Sequence, residues 1–190
     1  MKKSGWIILG AVAVLLVFWM MGSYNGLVTQ EEQVNKSWSQ IENQLQRRMD
    51  LIPNLVNTVK GYAAHETAVF QGIADARAKM AGATTPADMA KANDQLSSAL
   101  SRLLVVVERY PELKADKEFT QLMDELAGTE NRIATARMDY NTAVQNFNTT
   151  LKRFPGVIVA RFFGFEAKEY FKAQEGAAEV PNVDFGGSQP

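Results

Sequence analysis

Charged side chains inside an apolar repeat are the first candidates for chemistry, and this chain has two. Residues 47–56 read RRMDLIPNLV and residues 65–69 read HETAV. Arg48 and Glu66 stand where the surrounding repeat otherwise places apolar residues. A charge buried in a helical bundle has to be paired, and breaking such a pair costs about 3–5 kcal/mol. Each residue therefore either meets an opposite charge across the bundle and fixes register, or opens into a ligand or partner site. We expect the register role, with Glu130, Arg132, Arg137 and Asp139, and Glu108 further back, as candidate partners. Pro53 belongs to the same stretch. It removes the hydrogen bond to the Met49 carbonyl, so a bend is expected over residues 49–52.

Catalytic signals are thin. His65 is the single histidine and there is no cysteine. HETAV lacks the second histidine of a zinc-protease helix. Thiolate metal sites, disulfides and cysteine nucleophiles are all excluded. Gly22, Gly26, Gly61, Gly72 and Gly82 form no phosphate-cradling loop, and Ser97, Ser98 and Ser101 have no base near them in sequence. We expect no catalytic residues, no cofactor and no metal. The net charge of −1, with the bases spread along the chain, argues against a nucleic-acid partner.

The elements that position these residues are helices. Positions 34, 38, 41, 45, 48, 52, 55, 59, 62, 66, 69, 73, 76 and 80 alternate steps of four and three, and all but Arg48 and Glu66 are apolar. That spacing keeps one face of a bundle or coiled-coil helix apolar, and it predicts one helix from about Tyr24 to Ala81. Thr85, Pro86 and Asp88 then start a second helix as N-cap, N1 and N3. Tyr110-Pro111 ends it. Asp116 caps a third helix, which runs to Phe154-Pro155-Gly156. No strand pattern appears. The fold class expected is all-α, a single N-terminal transmembrane helix continuing into an antiparallel bundle of long helices.

The membrane helix is read from MKKSGWIILGAVAVLLVFWMMGSYNGLVTQ. No charge occurs from Ser4 to Gln30, and the 22 residues from Gly5 to Gly26 would span about 33 Å as a helix, the thickness of a bilayer core. Trp6, Trp19 and Tyr24 lie towards the ends, as interfacial aromatics do. No small-x-small site follows, which favours an anchor over a cleaved signal peptide. Lys2 and Lys3 before the segment, against Glu31 and Glu32 after it, favour a cytoplasmic N-terminus and an exported bundle at the bacterial inner membrane. The expected division is 1–27 anchor, 28–171 helical bundle and 172–190 flexible tail.

Two features suggest contacts beyond the bundle. Counted back from the turn at 82–85, the second helix ends opposite about residue 58, which places Tyr110-Pro111 near Pro53. The stripe carrying Trp38, Ile41 and Leu45 is then left for the third helix, for residues 157–171, or for another copy of the chain to cover. Segment 154–171 also gathers Phe162, Phe163 and Phe165 with basic residues, a composition suited to a membrane interface or to capping the core.

The blocks YNGLVTQEEQVNKSWSQIENQLQRRMDLIPNLVNTVKGYAAHE, RYPELKA, ELAGTENRIATARMDYNTAVQNFN and RFPGVIVARFFGF, with VDF near the end, resemble the LemA family from about Tyr24 to Phe185. The resemblance implies an all-α protein held by one N-terminal segment, without established enzymatic activity or an agreed catalytic set. It also implies a membrane-organising role, since one relative takes part in building magnetosome membranes. The expectation is a non-enzymatic envelope protein that is a self-associating scaffold or membrane-organising factor. Its expected partners are the bilayer, further copies of itself and possible protein partners. The alternative is a monomeric adaptor or regulator of envelope stress or proteolysis.

Overall fold

The computed structural model describes residues 2–172. Among them are six helices and no strand: α1 Lys2–Tyr62, α2 Thr67–Gly82, α3 Pro86–Val107, α4 Pro111–Lys114, α5 Lys117–Lys152 and α6 Gly156–Phe163. The expected tail lies outside the described residues, except for Lys172.

α1 is 61 residues long, about 90 Å. It is one continuous helix from the apolar N-terminal run into the body, and its first third is long and apolar enough to cross a membrane. Beyond that, Leu27, Val34, Ile41, Leu45, Ile52, Leu55 and Val59 form a buried stripe. α5 answers it with Phe119, Leu126, Ile133, Tyr140, Val144 and Phe147, the same apolar periodicity on an antiparallel helix. Their register is marked by side-chain bonds along the pair. The Tyr62 hydroxyl donates to Asp116 at the far end (2.9 Å), Arg132 donates to Gln44 midway (3.3 Å), and Thr150 donates to Gln30 near the base (2.8 Å).

The repeat suggested one helix to Ala81, but the chain reverses at residues 63–66. The cause is the supply of partners. α5 begins level with Tyr62, so a straight extension would carry Phe70, Ile73, Ala76 and Met80 past its end into water. Folded back as α2, those residues pack on α3, where Leu96, Ala99 and Leu103 are buried. The reversal also corrects the expected heights. α3 climbs back to the corner that α2 left, and Arg109 binds Glu66 there at 2.7 Å. The Tyr110-Pro111 break therefore sits beside the end of α1, away from Pro53. α1 stays helical through Pro53.

The caps follow the sequence signals. Thr85 Oγ1 accepts from the Asp88 amide (3.1 Å) and Asp116 Oδ1 from the Phe119 amide (2.9 Å). The Phe119 amide, and then the Tyr62 hydroxyl, hold the Asp116 carboxyl below the usual carboxylate range. A depressed folded-state pKa contributes stability above the unfolded value of about 3.9, which is lost as pH falls through the folded one. The thermal stability of the wild type over Asp116→Ala is thus expected to be full at pH 7 and to shrink below about pH 4. An advantage constant from pH 7 to pH 2 would remove the charged cap.

The stripe around Trp38 is covered from within the chain. α5 packs along it, and after α6 the chain turns back as an irregular strap over residues 165–172. Gly164, with φ 77°, makes that turn: its amide and that of Phe165 both donate to the Ala160 carbonyl (2.9 and 3.0 Å). Gly156, buried at the start of α6, is needed for space. A Cβ there would lie 2.3 Å from the Thr150 carbonyl oxygen. Gly156→Ala is expected to cost about 1–3 kcal/mol, as overpacking does, read as a lower melting temperature. An unchanged melt would show that α6 does not seat against α5.

Candidate functional site

Two places gather the residues of interest: the buried Arg48, and the base of the bundle where α6 meets α1.

Arg48 enters from α1 near the lower end of the four-helix section. Its Nη1 donates to Asn93 Oδ1 (2.7 Å) and to the Glu130 carboxylate, and its Nη2 donates to Ser97 Oγ (3.0 Å). Nε has no partner. Desolvation lowers the arginine's pKa, opposed by Glu130 and Asp94, and a guanidinium remains charged under such a shift. The Arg48 side chain is 6% exposed and that of Glu130 45%, so this is a half-open pair at the floor of a cleft of about 270 Å³. Leu55, Leu104, Met123 and Leu126 make the walls. The cleft offers shape and one engaged charge pair, with no nucleophile poised beside a free base. His65 is exposed in the corner above. Among the described residues, no cluster of three or more histidine and acidic side chains could hold a metal.

The other candidates lie apart. Glu66 is at the α1–α2 corner with Arg109, a partner not anticipated for it. Arg137 stacks on Phe171, its guanidinium carbon 4.6 Å from the ring centroid, and Nη2 reaches the Lys172 carbonyl (3.4 Å). Pro53 is half-buried on α1 just above Arg48. Ile41 and Leu45 are buried. Trp38 packs on Tyr140 (5.3 Å) and Phe171 (6.3 Å). Ile41 and Leu45 therefore present no free face to a partner, while Trp38 stays half-buried.

The strap is held by residues that the sequence reading missed. Asn141 donates to the Phe171 carbonyl and accepts from the Phe171 amide (3.0 and 2.9 Å). Asn148 does the same for Lys168 (both 2.9 Å). The Tyr140 hydroxyl donates to the Glu169 carbonyl (2.8 Å). Three residues of strap thus match seven of helix, about 10 Å, a reach that needs nearly extended backbone. The seven-residue spacing of the asparagines was visible, but it does not say which backbone they bind.

At the base, α6 lies against the end of the apolar run of α1. Phe154 packs on Trp19 (5.8 Å) and Phe163 on Tyr24 (4.7 Å), while Phe165 touches both Tyr24 (5.7 Å) and Phe147 (6.3 Å). Met20 and Leu27 already contribute to packing, so the core begins inside the stretch assigned to the anchor. Phe162 and Phe163 remain exposed, and Phe165 is half-buried. Lys168 and Glu31 form an ion pair (2.6 Å) above this aromatic layer.

Residues 37–185 match the LemA family. The magnetosome protein MamQ 2 of Paramagnetospirillum magneticum is 30% identical over 93% of this chain and 73% of its own length. The magnetosome protein MamQ of Magnetospirillum gryphiswaldense is 27% identical over 90% of this chain and 72% of its own. Protein LemA of Metamycoplasma hominis is 24% identical over 85% of this chain and 74% of its own. None of these names is that of an enzyme.

Proposed function

The chain belongs to the LemA family, and from that premise we propose that it is a non-enzymatic, membrane-anchored scaffold that organises the membrane of the cell envelope. The observation that carries this reading is the seating of the bundle on its own anchor. Phe154 on Trp19 and Phe163 on Tyr24 join the base of the body to the apolar run of α1. A body fixed there would act on the bilayer as one piece with its anchor, rather than swing on a flexible linker. The relatives' link by name to the magnetosome supports a role at membranes. The inner membrane as location, with the bundle on the exported side, rests on Lys2 and Lys3 against Glu31 and Glu32.

Self-association is not required by an open stripe near Trp38, since α5 and the strap cover it. The adaptor reading draws on Leu104 and Val105, exposed on α3 beside the Arg48 cleft. Reconstitution of the full chain into liposomes, imaged in vitreous ice, tests the proposal. Vesicles reshaped or drawn together relative to protein-free controls are expected. Vesicles of unchanged size and shape at high protein density would overturn it in favour of the adaptor.

A further inference from the structure

We propose that α6 is an interfacial helix whose apolar face lies among the lipid chains on the bundle side of the membrane, with its flanking bases on anionic headgroups. The inference rests on the reading of α1 as the anchor and adds a second lipid contact.

Length gives the first argument. From Gly5 to Phe18 every side chain of α1 is exposed, yet that stretch rises only about 21 Å, short of a hydrocarbon core of about 30 Å. A span begun at Gly5 has to continue for roughly 20 residues, to the level of Tyr24. That upper part is where α6 and the turn before it pack, Phe154 at Trp19 and Phe163 at Tyr24. If α1 crosses the bilayer, α6 is carried into its surface layer, at the depth of about 5–10 Å typical of interfacial helices.

Composition gives the second. Ile158 and Phe162, 51% and 74% exposed, are four apart on α6 and share one face, and Phe154 in the turn before the helix is also 74% exposed. In water this would be a wasted apolar patch directly continuous with the exposed belt of α1. Lys152, Arg153 and Arg161 are exposed around it, and residues 152–163 contain no acid. Long basic side chains beside a buried apolar face can reach back to headgroup phosphates.

The absence of native cysteine allows a direct test. Full-length Leu15→Cys, Phe162→Cys and Lys117→Cys variants carry a spin label in nanodiscs of phosphatidylglycerol and phosphatidylethanolamine, and collisions with oxygen and with a water-soluble nickel chelate are compared. The labels at 15 and 162 are expected to favour oxygen several-fold over the chelate, and the label at 117 the reverse. A label at 162 that behaves like the one at 117, while 15 reads lipid, overturns the interfacial helix and leaves the anchor standing. If 15 also reads water, both fall. In the Phe162→Cys background, Arg153→Gln with Arg161→Gln is expected to lower the oxygen preference at 162. An unchanged ratio would overturn the headgroup contact.

Discussion

Phe171→Ala is expected to release the C-terminal strap. Phe171 is 1% exposed, set between Trp38 and the Arg137 guanidinium. Truncating a buried phenylalanine to alanine costs about 3–5 kcal/mol, from lost transfer energy and the cavity left behind. The strap is an irregular segment laid on the outside of α1 and α5, so the loss falls mainly on the opening of this segment rather than on the whole bundle. A change of about 3 kcal/mol raises the open fraction roughly a hundredfold. Cleavage by trypsin after Lys168, now paired with Glu31, should accelerate to match, because proteolysis tracks the open population when closing is fast. The helical circular dichroism of the chain should persist. A rate equal to wild type would mean that Phe171 does not pin the strap.

The second large effect is at Arg48. Arg48→Ala removes the partner of Asn93, which is 1% exposed, and vacates a buried volume between α1, α3 and α5. An orphaned buried amide costs about 1–3 kcal/mol. Glu130 is half-exposed and can turn to water, so the full 3–5 kcal/mol of a wholly buried pair is not expected. We place the loss at about 2–3 kcal/mol, a fall in melting temperature on the order of 5–10 °C for a chain of this size. Arg48→Met refills the volume and should recover part of it. Equal, small effects of alanine and methionine would contradict a buried hydrogen-bonded Arg48. A methionine variant that stays folded but fails in cells would favour a ligand or partner in the cleft.

The two placements show how sequence reading works and where it stops. The α1 and α5 stripes were legible because a bundle helix repeats its apolar residues every three and four positions, and the caps at Thr85 and Asp116 because capping is local. Arg48 stood out as a charge in an apolar frame, and Glu130 was among its candidate partners. The reversal at 63–66 was hidden because the stripe keeps its period through the corner: Ile73, Ala76 and Met80 are core on α2 as they would have been on α1. The period says that a face is buried, but not against which helix. That error moved the Tyr110-Pro111 corner to the wrong height; the cover of the stripe at Trp38, Ile41 and Leu45, left open among the third helix, residues 157–171 and another copy, comes from α5 and the strap. The strap was illegible for a different reason. Asn141 and Asn148 recognise backbone, and backbone leaves no trace in residue type.

The seating of the body on its own anchor is tested most directly by cross-linking in isolated membranes. With no native cysteine to interfere, Trp19→Cys with Phe154→Cys in the full chain is treated with a short bismaleimide, alongside Gln30→Cys with Thr150→Cys as a reference for the α1–α5 pairing. Both pairs are expected to link within one chain, giving a shifted monomer band on a denaturing gel. A 19–154 pair that stays unlinked while 30–150 links, or that links only between chains, would contradict a bundle seated on its own membrane helix.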